Sequence, residues 1–235
     1  MKHLSLILII LILSCCPLHP AYAFFDKDIR LLTMRDGLAD NTIPCIYKDE
    51  DGFMWFGTDN GLSRYDGKTI QNFKPANTYV SIAAIVRLSD DFLGIVSDGY
   101  LYYFNRKRET FLPIHTESDT AIGVFNVLPA DDSSFWGISG NRLILCQWEI
   151  QQGKEEEKTA VRVRIQKTFQ LLEEKGEVFS SLCYHEKAGS GIWLTTNRGN
   201  LILFHPDTPE AYQKIPLTDG KTLQVTSILN RDGVV

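Results

Sequence analysis

Beyond residue 23, apolar residues fall in short runs of about four to eight, separated by pairs rich in Gly, Asn and Asp. Ile43 to Lys48, Phe53 to Thr58, Leu62 to Tyr65 and Thr69 to Phe73 each read as a strand. Pro44 is tolerated there only near an edge or bulge. Asn60-Gly61 joins the second run to the third and predicts a type I′ hairpin, which needs φ > 0 at both central residues. Asp98-Gly99, Gly140-Asn141 and Arg198-Gly199 take the same place further along. No 3.6-residue pattern lasts long enough for a major helix, although Phe169 to Lys175 has room for one turn or two.

The pattern repeats. Gly52-Phe53-Met54-Trp55-Phe56-Gly57-Thr58-Asp59-Asn60-Gly61-Leu62 is echoed by Gly191-Ile192-Trp193-Leu194-Thr195-Thr196-Asn197-Arg198-Gly199-Asn200-Leu201. Phe92 to Tyr100 and Phe135 to Leu143 are weaker copies, with Leu93 and Trp136 at the tryptophan place. The anchors therefore sit at 55, 93, 136 and 193, and the long last step contains a polar insertion, Gln151 to Lys158, that reads as a hairpin loop. A further copy begins near Leu223. Four short antiparallel strands in each repeat of about 40 residues predict an all-β fold, a β-propeller of four-stranded blades. The expected blades span 38–75, 79–115, 121–170 and 177–216, with the start of a fifth, incomplete one at 222–235. A blade is apolar on both faces and must be covered by its neighbours. Trp55, Trp136 and Trp193 are therefore expected to fill blade interfaces, and Gly57 to permit close backbone approach.

The first 23 residues differ from the rest. Met1-Lys2-His3 precedes an apolar run from Leu4 to Leu13, and the segment ends Ala21-Tyr22-Ala23. A basic start, an apolar run of about ten and an A-x-A site describe a secretory signal peptide, leaving residues 24–235 as the mature part. Lipidation at Cys15 is the alternative. The product is expected to be exported to the periplasm. Past the signal, Cys45, Cys146 and Cys183 are an odd set that makes no disulfide framework and reads as small buried hydrophobes. A net charge of −5 with no basic block argues against a phosphate-binding, nucleic-acid surface.

Catalytic and metal signatures are missing. Asp49, Glu50 and Asp51 lack the spacing of a calcium loop and read as a turn. His185 reads as a strand-edge side chain, and Glu155 to Lys158 as solvated loop. No catalytic residue, metal ligand or cofactor is assigned. Tyr100, Tyr102, Tyr103 and Phe104 form the densest aromatic run; alternation puts Tyr100 and Tyr102 on one face and Tyr103 on the other. Core packing is the expected role for most of them, and ligand-binding residues stay unassigned.

The phrase Asp-x-x-Gly-x-x-Trp-Phe-Gly-Thr-x-x-Gly-Leu-x-x-Tyr-Asp, Asp49 to Asp66, resembles the two-component-regulator propeller repeat. Leu31-Leu32-Thr33-Met34-Arg35-Asp36-Gly37-Leu38 resembles the segment that precedes the first blade in that family. The resemblance implies the N-terminal periplasmic sensor region of a Bacteroidetes-type hybrid two-component histidine kinase. It implies an oligosaccharide ligand, control of glycan-use genes, a homodimer of the full-length protein, and membrane attachment and kinase activity through downstream parts. A secreted propeller that binds glycans or proteins without signalling domains is the alternative.

Overall fold

A computed structural model describes residues 30–74, 80–151, 160–184 and 191–217. The proposed signal peptide, the fifth repeat, His185 and the 154–158 charge run lie outside the described residues. The chain divides into two compact units, Met1–Leu32 and Thr33–Val235. Only residues 30–32 of the first are described, as coil; all that follows concerns the second.

The second unit begins with a single 3₁₀ turn, Met34–Asp36, closed by a capping box between Thr33 and Asp36 and ended by Gly37 at φ 111°. Blade 1 is then β1 (Cys45–Lys48), β2 (Met54–Thr58), β3 (Gly61–Tyr65) and β4 (Ile70–Phe73). Blade 2 is β5 (Ile82–Arg87), β6 (Phe92–Ser97), β7 (Tyr100–Asn105) and β8 (Thr110–Pro113). Blade 3 has β10 (Asn126–Pro129), β11 (Ser134–Ser139), β12 (Arg142–Gln151) and β13 (Ala160–Phe169), preceded by a short β9 (His115–Thr116). Blade 4 is β14 (Phe179–Tyr184), β15 (Ile192–Thr196), β16 (Asn200–Phe204) and β17 (Gln213–Pro216). Each blade is an antiparallel meander in sequence order.

Blade 3 departs from the four-stranded expectation. β9 lies parallel to β13, pairing His115 with Arg162 and Thr116 with Val163, so the link from blade 2 adds a fifth strand. Ile114 and Ile122 are buried at either end of this strap. Between them Asp119 accepts from Arg162 (2.8 Å), and Glu117 pairs with Arg164. β12 and β13 run on together to Gln151 and Ala160, beyond the length of β11. The anticipated helical turns after Phe169 do not form: that residue ends β13, and coil and turn follow, because Leu171 and Leu172 are drawn into the blade 3–blade 4 core.

Period-two alternation gives every blade two apolar faces. In β7, Tyr102 and Phe104 turn toward blade 1, whereas Leu101 and Tyr103 turn toward blade 3. Trp55 is fully buried against Phe104, with ring centroids 5.7 Å apart, and Trp136 meets Phe204 of blade 4 at 5.9 Å. These two tryptophans fill blade interfaces; Trp193 packs within blade 4, on Cys183, Leu201 and Leu203. Gly57 leaves no room for a side chain. A Cβ there would stand 2.4 Å from Cys45 Sγ and 2.9 Å from the Ile82 carbonyl oxygen.

The hairpins differ in kind. Asp98 (φ 49°) and Gly99 (φ 80°) form the expected type I′ turn. At 58–61 the pairing Thr58↔Gly61 makes Asp59 and Asn60 the central residues, and only Gly61 is left-handed. The same holds at 196–200, where Gly199 alone is left-handed. Both are type I turns followed by a glycine bulge, one residue longer than expected. At Gly140-Asn141 only the glycine has positive φ.

Candidate ligand-binding cleft

A cavity of about 470 Å³ lies where blades 1 and 2 meet. Three turns build it, all at one end of the meanders: 49–53 between β1 and β2, 88–91 between β5 and β6, and 106–109 between β7 and β8. The Asp49 turn is closed by its own backbone, with the Gly52 amide donating to the Asp49 carbonyl (3.2 Å) and Gly52 at φ 89°.

Asp49 is buried, and each carboxylate oxygen is used. Oδ1 accepts from the Phe53 amide (2.9 Å); Oδ2 accepts from Trp55 Nε1 (2.7 Å) and from Arg106 Nη2 (2.9 Å). Arg106 also donates to Asp51 (2.6 Å) and to the Asp90 carbonyl (2.8 Å). One guanidinium thus ties the first turn of blade 1 to both turns of blade 2. This explains why the acidic triplet exists: it is an inter-blade clamp as well as a turn. Among the described residues no three His, Cys, Asp or Glu side chains converge on a metal site.

Outside the clamp the rim is looser. Arg87 reaches Asp90 (2.7 Å) and Glu50 (3.5 Å), and Lys107 reaches Asp91 (2.8 Å). The Asp90 hydrogen bond raises the Arg87 pKa further, so the cation is permanent. Tyr47 lines the cleft, and burial pushes its phenol up against the pull of Arg87, so it stays a neutral donor and acceptor. Arg64 sits over the Phe53, Trp55 and Phe73 rings at 5.1–5.5 Å and donates to Gln71 (2.6 Å). The cleft therefore offers fixed carboxylate acceptors, guanidinium donors and a phenol, with little apolar wall. It suits a ligand rich in hydroxyl groups.

Sequence reading had singled out Asp49, Glu50 and Asp51 but not Tyr47, Arg64, Arg87, Arg106 or Lys107. Arg106 lies 57 residues from Asp49, and no local pattern announces that pairing. Of the aromatic run, Tyr103 and Phe104 are buried, Tyr102 is half-buried, and Tyr100 is exposed at the opposite end of blade 2.

The segment carrying the clamp's acidic turn and Trp55 matches the family model described as two component regulator propeller, over residues 37–60. Over these residues the chain is similar to that propeller repeat. Among solved structures, the WD40 β-propeller domain of Doa1 is similar with a TM-score of 0.56 and 11% identity, over 82% of this chain and 58% of that one. The β-propeller domain of Myceliophteria thermophila Cps50 (Swd1) gives 0.51 and 10%, over 81% and 60%. These establish the β-propeller fold. The extracellular domain of the putative hybrid two component system BT4673 from B. thetaiotaomicron is also similar, with a TM-score of 0.47 and 16% identity over 74% of this chain. The chain spans only 27% of that domain. No curated protein matches the sequence. In the propeller repeat, the Asp-x-x-Gly-x-x-Trp signature has a physical reading here: the aspartate holds the indole of the tryptophan three residues past the glycine. No helix among the described residues is long and apolar enough to cross a membrane.

Proposed function

We propose that this chain is the extracellular, periplasmic sensor segment of a two-component signalling protein and that it binds an oligosaccharide without transforming it. The observation that carries the reading is the cleft of about 470 Å³ between blades 1 and 2. Its volume falls within the ~300–1,000 Å³ of small-ligand sites. Its rim ion pairs are exposed, and such pairs are worth about 0–1 kcal/mol each, so vicinal hydroxyls can replace them at little cost. A ligand held by Glu50 on one side and Arg87 on the other would touch two blades at once. Its occupancy would then reach a homodimer of the full-length protein, and through it a kinase and glycan-use genes.

Isothermal titration of the full chain against soluble oligosaccharides tests this. One saccharide class should bind, and Arg87→Ala or Glu50→Ala should weaken it at least tenfold while the melting temperature holds. Unchanged binding in both variants, or no binding by any saccharide, would overturn the reading.

A further inference from the structure

We infer that the other end of blade 2 carries a second saccharide platform, built from Tyr100 and Phe125 around the Asp98-Gly99 turn. The proposal rests on the oligosaccharide reading but uses a separate set of residues. The cleft is formed by the β5–β6 and β7–β8 turns; Asp98-Gly99 joins β6 to β7 and so lies at the opposite end.

Tyr100 is 49% exposed and Phe125 60%, the most exposed aromatic side chains among the described residues. Neither sits on a loose segment. Tyr100 pairs with Ser97 in the β6–β7 ladder and forms a second bridge with Gly123. The Val124 amide donates to the Gly99 carbonyl (2.7 Å), and the Phe125 amide donates to the Ile138 carbonyl (2.9 Å). The ring of Phe125 lies over Gly99: a Cβ on that glycine would meet Phe125 Cε1 at 3.1 Å, and its three nearest neighbours are all atoms of this ring. Glycine thus meets two demands here. Its φ of 80° closes the turn, and its bare backbone lets an aromatic ring rest on it with much of that ring in solvent.

Holding two aromatic rings fixed and wet is unfavourable, since each would gain by burial. The exposed area is too small for a protein partner. Half of two aromatic side chains is about 200 Å², against roughly 800 Å² per side for a stable protein interface. It does match one or two sugar rings, whose C–H faces lie flat on aromatic rings. The exposed carboxylate of Asp98, in the same turn as Gly99, would accept from the hydroxyl edge.

The test uses the full chain and four neutral hexasaccharides: cellohexaose, maltohexaose, xylohexaose and mannohexaose. Each is titrated calorimetrically into wild type, Tyr100→Ala, Phe125→Ala, Phe125→Trp and the cleft variant Arg87→Ala, with melting curves confirming that each is folded. At least one hexasaccharide should bind ten times more weakly to Tyr100→Ala and Phe125→Ala and near wild-type strength to Phe125→Trp, and Arg87→Ala reports separately on the cleft. Loss in Arg87→Ala alone would sink the platform and leave the cleft standing. Loss in the aromatic variants alone would support the platform and remove the cleft. Unchanged binding in both aromatic variants, or no binding at all, overturns the inference.

Discussion

Replacing Asp49 by alanine should cost far more than replacing its neighbour Asp51, although the two share a partner. Asp49 is buried and Asp51 is mostly exposed. Its removal orphans the indole N–H of Trp55, a side chain with no solvent access, and the Phe53 amide beside it. A buried donor without a partner costs about 1–3 kcal/mol. Arg106 is not stranded, because Asp51 and the Asp90 carbonyl still accept from it. With two donors orphaned, the loss should therefore total about 2–6 kcal/mol. Asp51→Ala breaks one exposed ion pair and should cost less than about 1 kcal/mol. Urea unfolding followed by tryptophan fluorescence measures both. A double-mutant cycle with Trp55→Phe should return a coupling of about 1–3 kcal/mol, because phenylalanine removes the donor that aspartate serves. Equal costs for Asp49→Ala and Asp51→Ala, or a coupling near zero, would refute the view that the acidic triplet is a clamp centred on the indole.

Three further outcomes follow from the same geometry. Gly57→Ala should destabilise by about 1–3 kcal/mol through overpacking, and a Cys45→Ala background should relieve this only in part, because the Ile82 carbonyl remains; thermal melts of the single and double variants decide it. Glu177 is buried: burial raises its pKa, but hydrogen bonds from Lys214, Asn200 and Thr196 outweigh that and hold it below the usual 4.5. Its contribution should be complete above the unfolded value and lost as pH falls through the lower folded one, so Glu177→Gln should flatten the acid limb of a urea-midpoint profile. Burial pushes the Cys45 and Cys146 thiols up to about 12. Buried Cys146 should resist a thiol reagent at pH 8 until the chain unfolds and half-buried Cys45 should react more slowly than a free thiol; rapid native-state labelling of Cys146 by peptide mass spectrometry would refute this.

Strands were legible in the sequence because alternation and turn residues are local signals. Trp55 and Trp136 reached the interfaces expected of them for the same reason. The turn types were less so. Whether Asn60 or Gly61 takes the left-handed place depends on the pairing of Thr58 with Gly61, and dipeptide identity does not fix that register. The site was hardest to read. Asp49 looked like a turn residue, which it is, but its second role depends on Arg106 from another blade. Glu177 follows a stretch with room for only a helical turn or two, and its burial depends on Thr196, Asn200 and Lys214, 19 to 37 residues on. Phe125 sits among the apolar residues Ile122, Val124 and Val127, which are buried, so apolar character alone does not mark it as the exposed one.

The strap between blades 2 and 3 bears on how the protein comes into being. Arg164, which receives Glu117, lies 47 residues further along the chain. At roughly 5–20 residues per second of synthesis, the strap waits about 2–9 s for the strand it will join. Within blade 3 the strap can therefore pair only after β13, the last strand of the meander, has arrived. Removing or duplicating either blade alone would leave half of that pairing behind, so the natural unit of rearrangement in this stretch of the array is the pair.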